Sequence, residues 1–425
     1  MKKYLLIIFL AISSVSYAQD TIRVMHYNLL FYGVSSGWCF EANNSLTMKD
    51  SCLKKIIRSV KPDIFTANEI KPDVAAHDHI LNNIMNTGGI TYYKRGEMSN
   101  LTEGSKLSNG IFYNSEKFVL LDQTNIPTTT RDINVYDFCY NALGIESASF
   151  DTAFLTCIVI HLEPGSGDSS IAERTAQINL LMNHLDSLNK KANYLLMGDF
   201  NVYSGAEPCF QNLVSHPNSD TRFYDPVNMI GAWHDDIIYS NYHTQSTYDG
   251  VTGCHSGGGM DDRFDFILQS EYIKNGASHF QYLPGSYKVQ GQDGNHFNKA
   301  INDGTNNSAS AELIDALYFM SDHLPVTLDI SVDQNAKQHI PEVFDVLFPN
   351  PVTDVLHLSL KPESPAMLDF IILNVLGQQV YSCSLSTSET SANFEFPVGF
   401  LNQGIYFLTM YNGINKPVTK KFMKK

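Results

Sequence analysis

The sequence predicts a layered α/β sandwich followed by a small all-β sandwich, and three observations carry that prediction. Up to about residue 330, short apolar strands alternate with amphipathic helices. Residues 332–343 are polar and aperiodic, as a linker would be. Beyond them the helical period disappears, and short strands are separated by turn residues over residues 344–425.

The elements follow in order. "TIRVMHYN" reads as the first strand, and Met48, Cys52, Leu53, Ile56, Ile57 and Val60 recur at helical spacing after it. "PDIFTANE" is a strand opened by Pro62, and "NGIFYNSEKFVLLD" reads as an antiparallel hairpin turning near Asn114 and Ser115. "AFLTCIVIHL" is a buried strand. A long helix then begins with a capping-box pattern at Ser170 and Glu173, its apolar face formed by Ile171, Ile178, Leu181, Met182, Leu185 and Leu188. "YLLMGDFN", "RFDFILQ" and "LPVTLDI" supply further strands, and the Gly/Ser/Asn-rich stretches 250–259 and 291–310 are loops. "GGGM" lacks the Gly-Lys-Ser/Thr ending of a phosphate-binding loop. The tail holds "VLHLSL", "LDFIILNVLGQQVYS", "ANFEFPV" and "GIYFLTMYNG", all strand-like.

The first 18 residues, two lysines and an apolar run ending in small residues, read as a secretory signal peptide cut after Ala18. The run is shorter than the roughly 20 residues a membrane span needs, and no later segment is long and apolar enough. A soluble, exported, monomeric protein is therefore expected. The formal charge is −15, and losing Lys2 and Lys3 makes it two units more negative. The tail is neutral, so the excess acid lies in residues 19–343. Such a surface attracts a polyanion only where cations or local basic groups intervene. Seven cysteines show no CxxC pair, which argues against a zinc cluster. Export permits disulfides; Cys39 and Cys52 are close enough in sequence to close a short loop, and Cys157 reads as a buried free thiol.

Polar residues interrupt the strands at consistent places. Asn28 ends the first, Glu69 the second, His161 the "CIVI" strand, and Asp199 with Asn201 the "YLLM" strand. Asp265 lies within "RFDFIL", and Asp322 and His323 precede "LPVTLDI". Strand ends on one sheet edge gather into one pocket. Oxygen ligands suit Mg²⁺ beside a substrate phosphate, and two histidines suit general base and general acid in displacement at phosphorus. A carboxylate beside a histidine fixes its tautomer. Singly, Asp199, Asn201, Asp322 and His323 are residues that turns also favour, and Arg263 is an alternative partner for Asp265. The "HDH" at 77–79 reads as a solvated helix face, His234, His243, His255 and His296 as surface or loop residues without a partner pattern, and Tyr92 and Tyr93 as part of an edge strand.

"MHYNLL", "PDIFTANEI", "NGIFYN", "VIHLEP", "MGDFN", "DDRFDFIL" and "SDHLPV" occur in order over residues 21–331, and together they resemble the endonuclease/exonuclease/phosphatase superfamily. The resemblance implies a four-layer α/β sandwich of the deoxyribonuclease I type and a divalent-metal-dependent phosphodiesterase. By the same resemblance Asn28, Glu69 and Asp322 hold the metal, Mg²⁺ with Mn²⁺ or Ca²⁺ as alternatives. His323 is the base held by Asp265, Asp199 shares the attacking water, Asn201 contacts the scissile phosphate and His161 is the acid. A histidine at 161 favours the deoxyribonuclease I-like and sphingomyelinase-like branches over abasic-site endonucleases, and "MDDRFDF" argues against the inositol polyphosphate 5-phosphatases. Extracellular DNA or RNA is the expected substrate, with a sphingomyelinase-like phospholipase C or a non-catalytic binding protein as alternatives. "FPNPVTDVLHL", "ILNVLGQQV" and "GIYFLTMYNG" before a lysine-rich end resemble the sorting domain of the type IX secretion system, implying that machinery as a partner and a secreted or cell-surface location. The expected division is signal peptide 1–18, catalytic domain 19–331, linker 332–343 and sorting domain 344–425.

Overall fold

The computed structural model describes residues 20–35, 38–140, 153–251, 253–332, 351–360, 367–375, 378–386, 392–411 and 418–425. The expected signal peptide and all but the first residue of the linker lie outside them. Strands β1 (Asp20–Tyr32), β2 (Ile64–Ile70), β3 (Tyr93–Arg95) and β4 (Ser108–Asn114) come first, with helices α1 (Leu46–Val60) and α2 (Val74–Ile80) among them. Then follow β5 (Phe118–Ile126), β6 (Ile133–Tyr140), β7 (Phe154–His161), helix α3 (Asp168–Leu188) and β8 (Tyr194–Asp199). After α4 (Pro208–Val214) come β9 (Phe223–Tyr224), β10 (Asp265–Ser270), α5 (Glu271–Asn275), β11 (Phe280–Tyr282), β12 (Lys288–Val289), α6 (Ala311–Met320) and β13 (Val326–Val332).

These strands make two mixed sheets. One runs β11-β13-β1-β2-β4-β3, with β12 also on β13, and the other runs β5-β6-β7-β8-β10-β9. β1 and β2 pack on β7, β8 and β10, so the sheets lie face to face. Cys52, Leu53, Ile56 and Ile57 of α1 pack with Ile314, Leu317 and Met320 of α6 on the first sheet. Ile178, Leu181, Met182 and Leu185 of α3 pack with Phe210 and Leu213 of α4 on the second. Helices outside, sheets inside: this is the expected four-layer sandwich. Each such fully buried aliphatic side chain contributes roughly 1.5–3 kcal/mol.

The period of two along the strands decides which residues face the other sheet. On β7, Leu155, Cys157 and Val159 belong to the core between the sheets, whereas Ile158 and Ile160 pack under the helices. On β8, Leu195 and Met197 face inward and Tyr194 and Leu196 outward; on β10, Ile267 faces inward and Phe266 and Leu268 outward. Continuing each inward series by one step reaches His161, Asp199 and Asp265. His161 stands opposite Asp199 in the parallel β7–β8 pair, and Asp265 stands opposite Asp199 in the antiparallel β8–β10 pair.

Several local expectations are corrected. β4 and β5 do not form a hairpin: β4 pairs with β2 and β3, β5 pairs with β6, and the turn at 115–117 passes the chain from one sheet to the other. Both edges of β4 are already taken, which leaves no place for β5. The capping box is not formed; α3 starts at Asp168, its N-cap is Gly167, and Glu173 pairs with Thr129. Leu188 and Met48 are about half exposed rather than buried. Cys39 pairs with Cys254, 215 residues away, leaving Cys52 a buried thiol; Cys157 is a buried thiol as expected. Closing so long a loop restricts the unfolded chain by up to about 5 kcal/mol.

The tail forms β14 (Val355–Leu360), β15 (Met367–Asn374), β16 (Gln379–Ser386), β17 (Ala392–Pro397), β18 (Gly404–Tyr411) and β19 (Val418–Lys424). β14 pairs with β17, and the other four run β16-β15-β18-β19. Leu356, Leu358, Phe370, Ile372, Phe396, Leu408 and Phe422 fill the core of this all-β unit.

Gly198 is required by packing, because a Cβ there would stand 2.0 Å from the Ile160 carbonyl oxygen of the neighbouring strand. Gly198→Ala is expected to cost about 3 kcal/mol through overpacking, read as a lowered urea midpoint with an unchanged slope.

Candidate active site

The inner-face residues at the strand ends converge with residues from the first sheet. Asn28, at the level where β1 leaves its parallel pairing with β2, donates from Nδ2 to Glu69 Oε1 at 3.1 Å and to Asp199 Oδ2 at 3.0 Å. The Phe31 N–H donates to Glu69 Oε2 at 2.9 Å. Leu30, Phe31, Glu69 and Asn201 all have left-handed backbones, with φ of 44°, 51°, 61° and 50°. Side chains rarely adopt that region, and each such residue costs of order 1 kcal/mol or more; these four lie around one cluster.

Glu69, His161 and Asp199 each aim a ligand atom into that cluster, all within 4.8 Å of one another. His161 Nε2 lies 3.8 Å from Glu69 Oε1 and 3.5 Å from Asp199 Oδ2. Among the described residues its Nδ1 has no hydrogen-bond partner. Burial, with Arg131 nearby, pulls the His161 proton affinity well below the usual value. Burial pushes the Asp199 carboxyl up to about 7, despite the nearby His323. His323 Nδ1 lies 2.7 Å from Asp265 Oδ2. Burial disfavours the charged ring, but Asp265 and Asp199 outweigh it and raise its proton affinity well above the usual value. Arg263 pairs with Asp225 instead, so the alternative partner for Asp265 is excluded.

Asp322 Oδ2 accepts the Ser256 N–H at 2.8 Å, while its buried Oδ1 has no hydrogen-bond partner among the described residues and lies 4.0 Å from His323 Nε2. Asn201 donates its backbone N–H to Asp199 Oδ1 and its Nδ2 to the Leu162 carbonyl. All eight residues singled out from the sequence thus lie in one connected group.

The structure adds partners that the sequence left unmarked. The Asp199 N–H donates to Asn68 Oδ1 at 2.9 Å, Asn68 Nδ2 to Asn109 Oδ1 at 2.7 Å, Asn109 Nδ2 to Asn134 Oδ1 at 3.0 Å, and Asn134 Nδ2 to Asn125 Oδ1 at 2.8 Å. This chain of carboxamides crosses from one sheet to the other. Buried amides inside otherwise apolar strands were its only sequence signal. Arg131 donates to the carbonyls of His161 and Leu162 and, with Phe31, Lys106 and Glu163, lines a cavity of about 350 Å³. Gln245 Nε2 stands 2.6 Å from His323 Nε2. Behind the site, His26 lies 3.7 Å from Asp265 and is held neutral, its pKa lowered to about 4 by burial.

Other histidines depart from expectation. His77 is buried against Ser108 and His79 pairs with Asp50, so "HDH" is not a solvated face. His243 is buried between two backbone carbonyls, and His296 pairs with Asp293. His234 pairs with Asp262 and converges with Asp261 and Asp262. Tyr93, as expected of an edge strand, lies on β3 with its hydroxyl on the Pro62 carbonyl.

Residues 25–323 match the model of the Endonuclease/Exonuclease/phosphatase family. The chain belongs to that family. Residues 346–425 are a secretion system C-terminal sorting domain. This family member is therefore a secreted hydrolase of the nuclease and phosphatase kind. Its fold is similar to that of a family protein from Bacteroides thetaiotaomicron, at 14% identity and a TM-score of 0.46, covering 76% of this chain and 100% of that one. It is also similar to truncated Caenorhabditis elegans TDP2, at 14% identity and 0.44, covering 74% and 98%. The human Nocturnin catalytic domain gives 15% identity and 0.44, covering 74% and 98%. Comparison with curated proteins yields no match. Among the described residues no helix of this family member is long and apolar enough to cross a membrane.

Asn109→Leu would leave Asn68 and Asn134 facing an apolar group. It is expected to cost about 2–3 kcal/mol for the buried unpaired amides and to lower hydrolytic turnover, because the Asp199 backbone loses its fixed acceptor. Urea melts and initial rates on the same preparation check both.

Proposed function

We propose that the chain is a secreted, divalent-cation-dependent phosphodiesterase whose substrate is extracellular DNA or RNA. The observation that carries this reading is the convergence of Glu69, His161 and Asp199 on one point beside the His323–Asp265 pair. The donors fit a hard cation, since most are oxygens and Asp322 presents a buried oxygen with no hydrogen-bond partner among the described residues. Glu69, Asn28 and Asp322 would hold it, with Mg²⁺ first and Mn²⁺ or Ca²⁺ as alternatives. A bound divalent cation supplies electrostatic stabilisation of the phosphoryl oxygens.

The chain's own residues do the proton chemistry. Asp265 fixes the His323 tautomer through Nδ1, and the same carboxylates that raise the ring's proton affinity make Nε2, in the neutral ring, a strong acceptor for a proton of the attacking water. Asp199 orients that water from the other side. Asn201 uses one amide hydrogen on the Leu162 carbonyl and keeps the other for a phosphoryl oxygen. His161 protonates the leaving oxygen; the negative phosphate arriving beside it raises a proton affinity that burial had lowered. The mature enzyme would span residues 19–331 after loss of 1–18 and act as a monomer. The linker 332–343 would join it to the sorting domain 344–425, which the type IX machinery reads.

A specific observation favours the second reading, a sphingomyelinase-like phospholipase C. Trp38, Phe40 and Val251 are 74%, 50% and 81% exposed. They lie on the two loops joined by Cys39–Cys254; the first follows directly on the end of β1, where Phe31 braces Glu69, and the second braces the site through Ser256. Residues 33–47 and 248–258 contain no Lys or Arg, so this rim suits a lipid interface better than a polyanion. A non-catalytic binding protein is the third reading, and the intact set of eight residues counts against it.

The full mature chain should be tested with and without Mg²⁺ on plasmid DNA, RNA and sphingomyelin vesicles. Plasmid nicking abolished by EDTA supports the nuclease, and choline phosphate release with intact nucleic acids supports the lipid reading. On whichever substrate reacts, His323→Ala should lower turnover by about 10²–10⁴, and Glu69→Gln should raise the Mg²⁺ concentration giving half activity. An unchanged Mg²⁺ requirement would remove Glu69 from the metal site. Replacing Trp38 and Phe40 together by Ala should weaken vesicle binding if lipid is the substrate and leave DNA nicking unaffected if it is not.

A further inference from the structure

We propose that the Gln245 carboxamide is a further catalytic contact. It caps the free nitrogen of His323 in the resting protein and turns to a non-bridging phosphoryl oxygen when substrate enters. The inference rests on the phosphodiesterase reading above. Asp265 occupies His323 Nδ1 at 2.7 Å, so Nε2 is the nitrogen left for chemistry. Four side-chain atoms surround it: Gln245 Nε2 at 2.6 Å, Asn28 Nδ2 at 3.5 Å, Asp199 Oδ2 at 3.8 Å and Asp322 Oδ1 at 4.0 Å. Among the described residues only the Gln245 amide is within close hydrogen-bond reach.

That place is the one an attacking water must take, since a general base works at roughly 2.6–3.2 Å from the proton it abstracts. An amide N–H donating to Nε2 ties up the lone pair on which the base depends. The amide therefore has to leave Nε2 for turnover to proceed, and what it can do next is limited by how it is held. The Gln245 backbone is pinned: its N–H donates to the Asp262 carbonyl, and its carbonyl accepts from both Asp261 and Asp262. The flanking Thr244 carbonyl accepts the Leu324 N–H, and the Thr247 N–H donates to the Asp322 carbonyl. The segment cannot swing away, so only side-chain torsions move the carboxamide. Its –NH₂ group then sweeps the space between His323 and the Asp199 and Asp322 carboxylates, where the phosphoryl group would lie. A neutral donor suits that space, because it binds a phosphoryl oxygen without competing for the cation and adds no charge to the acidic cluster.

Steady-state hydrolysis of bis(p-nitrophenyl) phosphate with Mg²⁺ tests this, using the full chain and its Gln245→Ala and Gln245→Glu variants. Ala removes the amide altogether. Glu keeps a hydrogen-bond acceptor beside His323 but has no donor for a phosphoryl oxygen. The expected result for Gln245→Ala is a fall in kcat of about 100-fold, with KM within about threefold, as for loss of a transition-state donor. Its melting temperature should stay within about 2 °C of wild type, and Gln245→Glu should be slower still. The proposal is overturned if Gln245→Ala turns over within about threefold of wild type, or if Gln245→Glu restores the wild-type rate, since the amide would then only orient the imidazole. No hydrolysis by the wild type would overturn the phosphodiesterase reading, and the inference with it.

Discussion

The hydrogen bond from the Asp199 N–H to the Asn68 carboxamide is where the two sheets are locked together at the level of the site. Asn68 precedes Glu69 on β2, and Asp199 ends β8 in the opposite sheet. Sheet-on-sheet packing through Leu, Ile and Val fixes a spacing but tolerates sliding, because apolar contacts are not directional. A buried amide that must find its partner admits one alignment only. With Asn28 reaching both Glu69 and Asp199, that alignment sets carboxylates from two sheets against each other at hydrogen-bond precision.

Much of this was legible in the sequence, for a physical reason. The site residues sit where apolar strands end, and the period of two carries each inward-facing row straight into a polar residue: Val159 to His161, Met197 to Asp199, Ile267 to Asp265. Their pairing in register is visible only in the folded chain. What was not legible depends on contacts between distant segments. Cys254 as partner of Cys39, Asp225 as partner of Arg263, and Gln245 beside His323 lie in loops with no periodicity, and only the folded chain brings them together. The hairpin at 109–122 failed for a related reason. A short turn between two strands looks the same whether the strands pair or enter different sheets, and the edges of β4 were already taken by β2 and β3. The capping box failed because the helix began two residues earlier than Ser170, with Glu173 engaged by Thr129.

The arrangement concentrates acid in a confined space. Glu69 and Asp199 converge with His161; Asp199, Asp265 and Asp322 each come within 4.0 Å of His323, and burial raises the Asp199 carboxyl toward neutrality. Left alone, such a cluster works against the fold; hydrogen-bonding neutral residues relieve it. This explains why so many of the surrounding groups are amides, with Asn28, Asn68, Asn109, Asn201 and Gln245 supplying donors without adding charge. It also suits the acidic catalytic region as a whole, where affinity for an anionic phosphate has to come from the site itself.

The Cys39–Cys254 bond sets the order in which this protein becomes complete. It joins the loop after β1, whose Phe31 N–H holds Glu69, to the loop whose Ser256 N–H holds Asp322. Disulfides persist in oxidising surroundings and not in the reducing cytoplasm. The covalent tie between these two segments is therefore one that forms only after the chain has left the reducing cytoplasm. An oxidising compartment thus completes the covalent link between the end of β1, which meets Glu69, and the loop that meets Asp322.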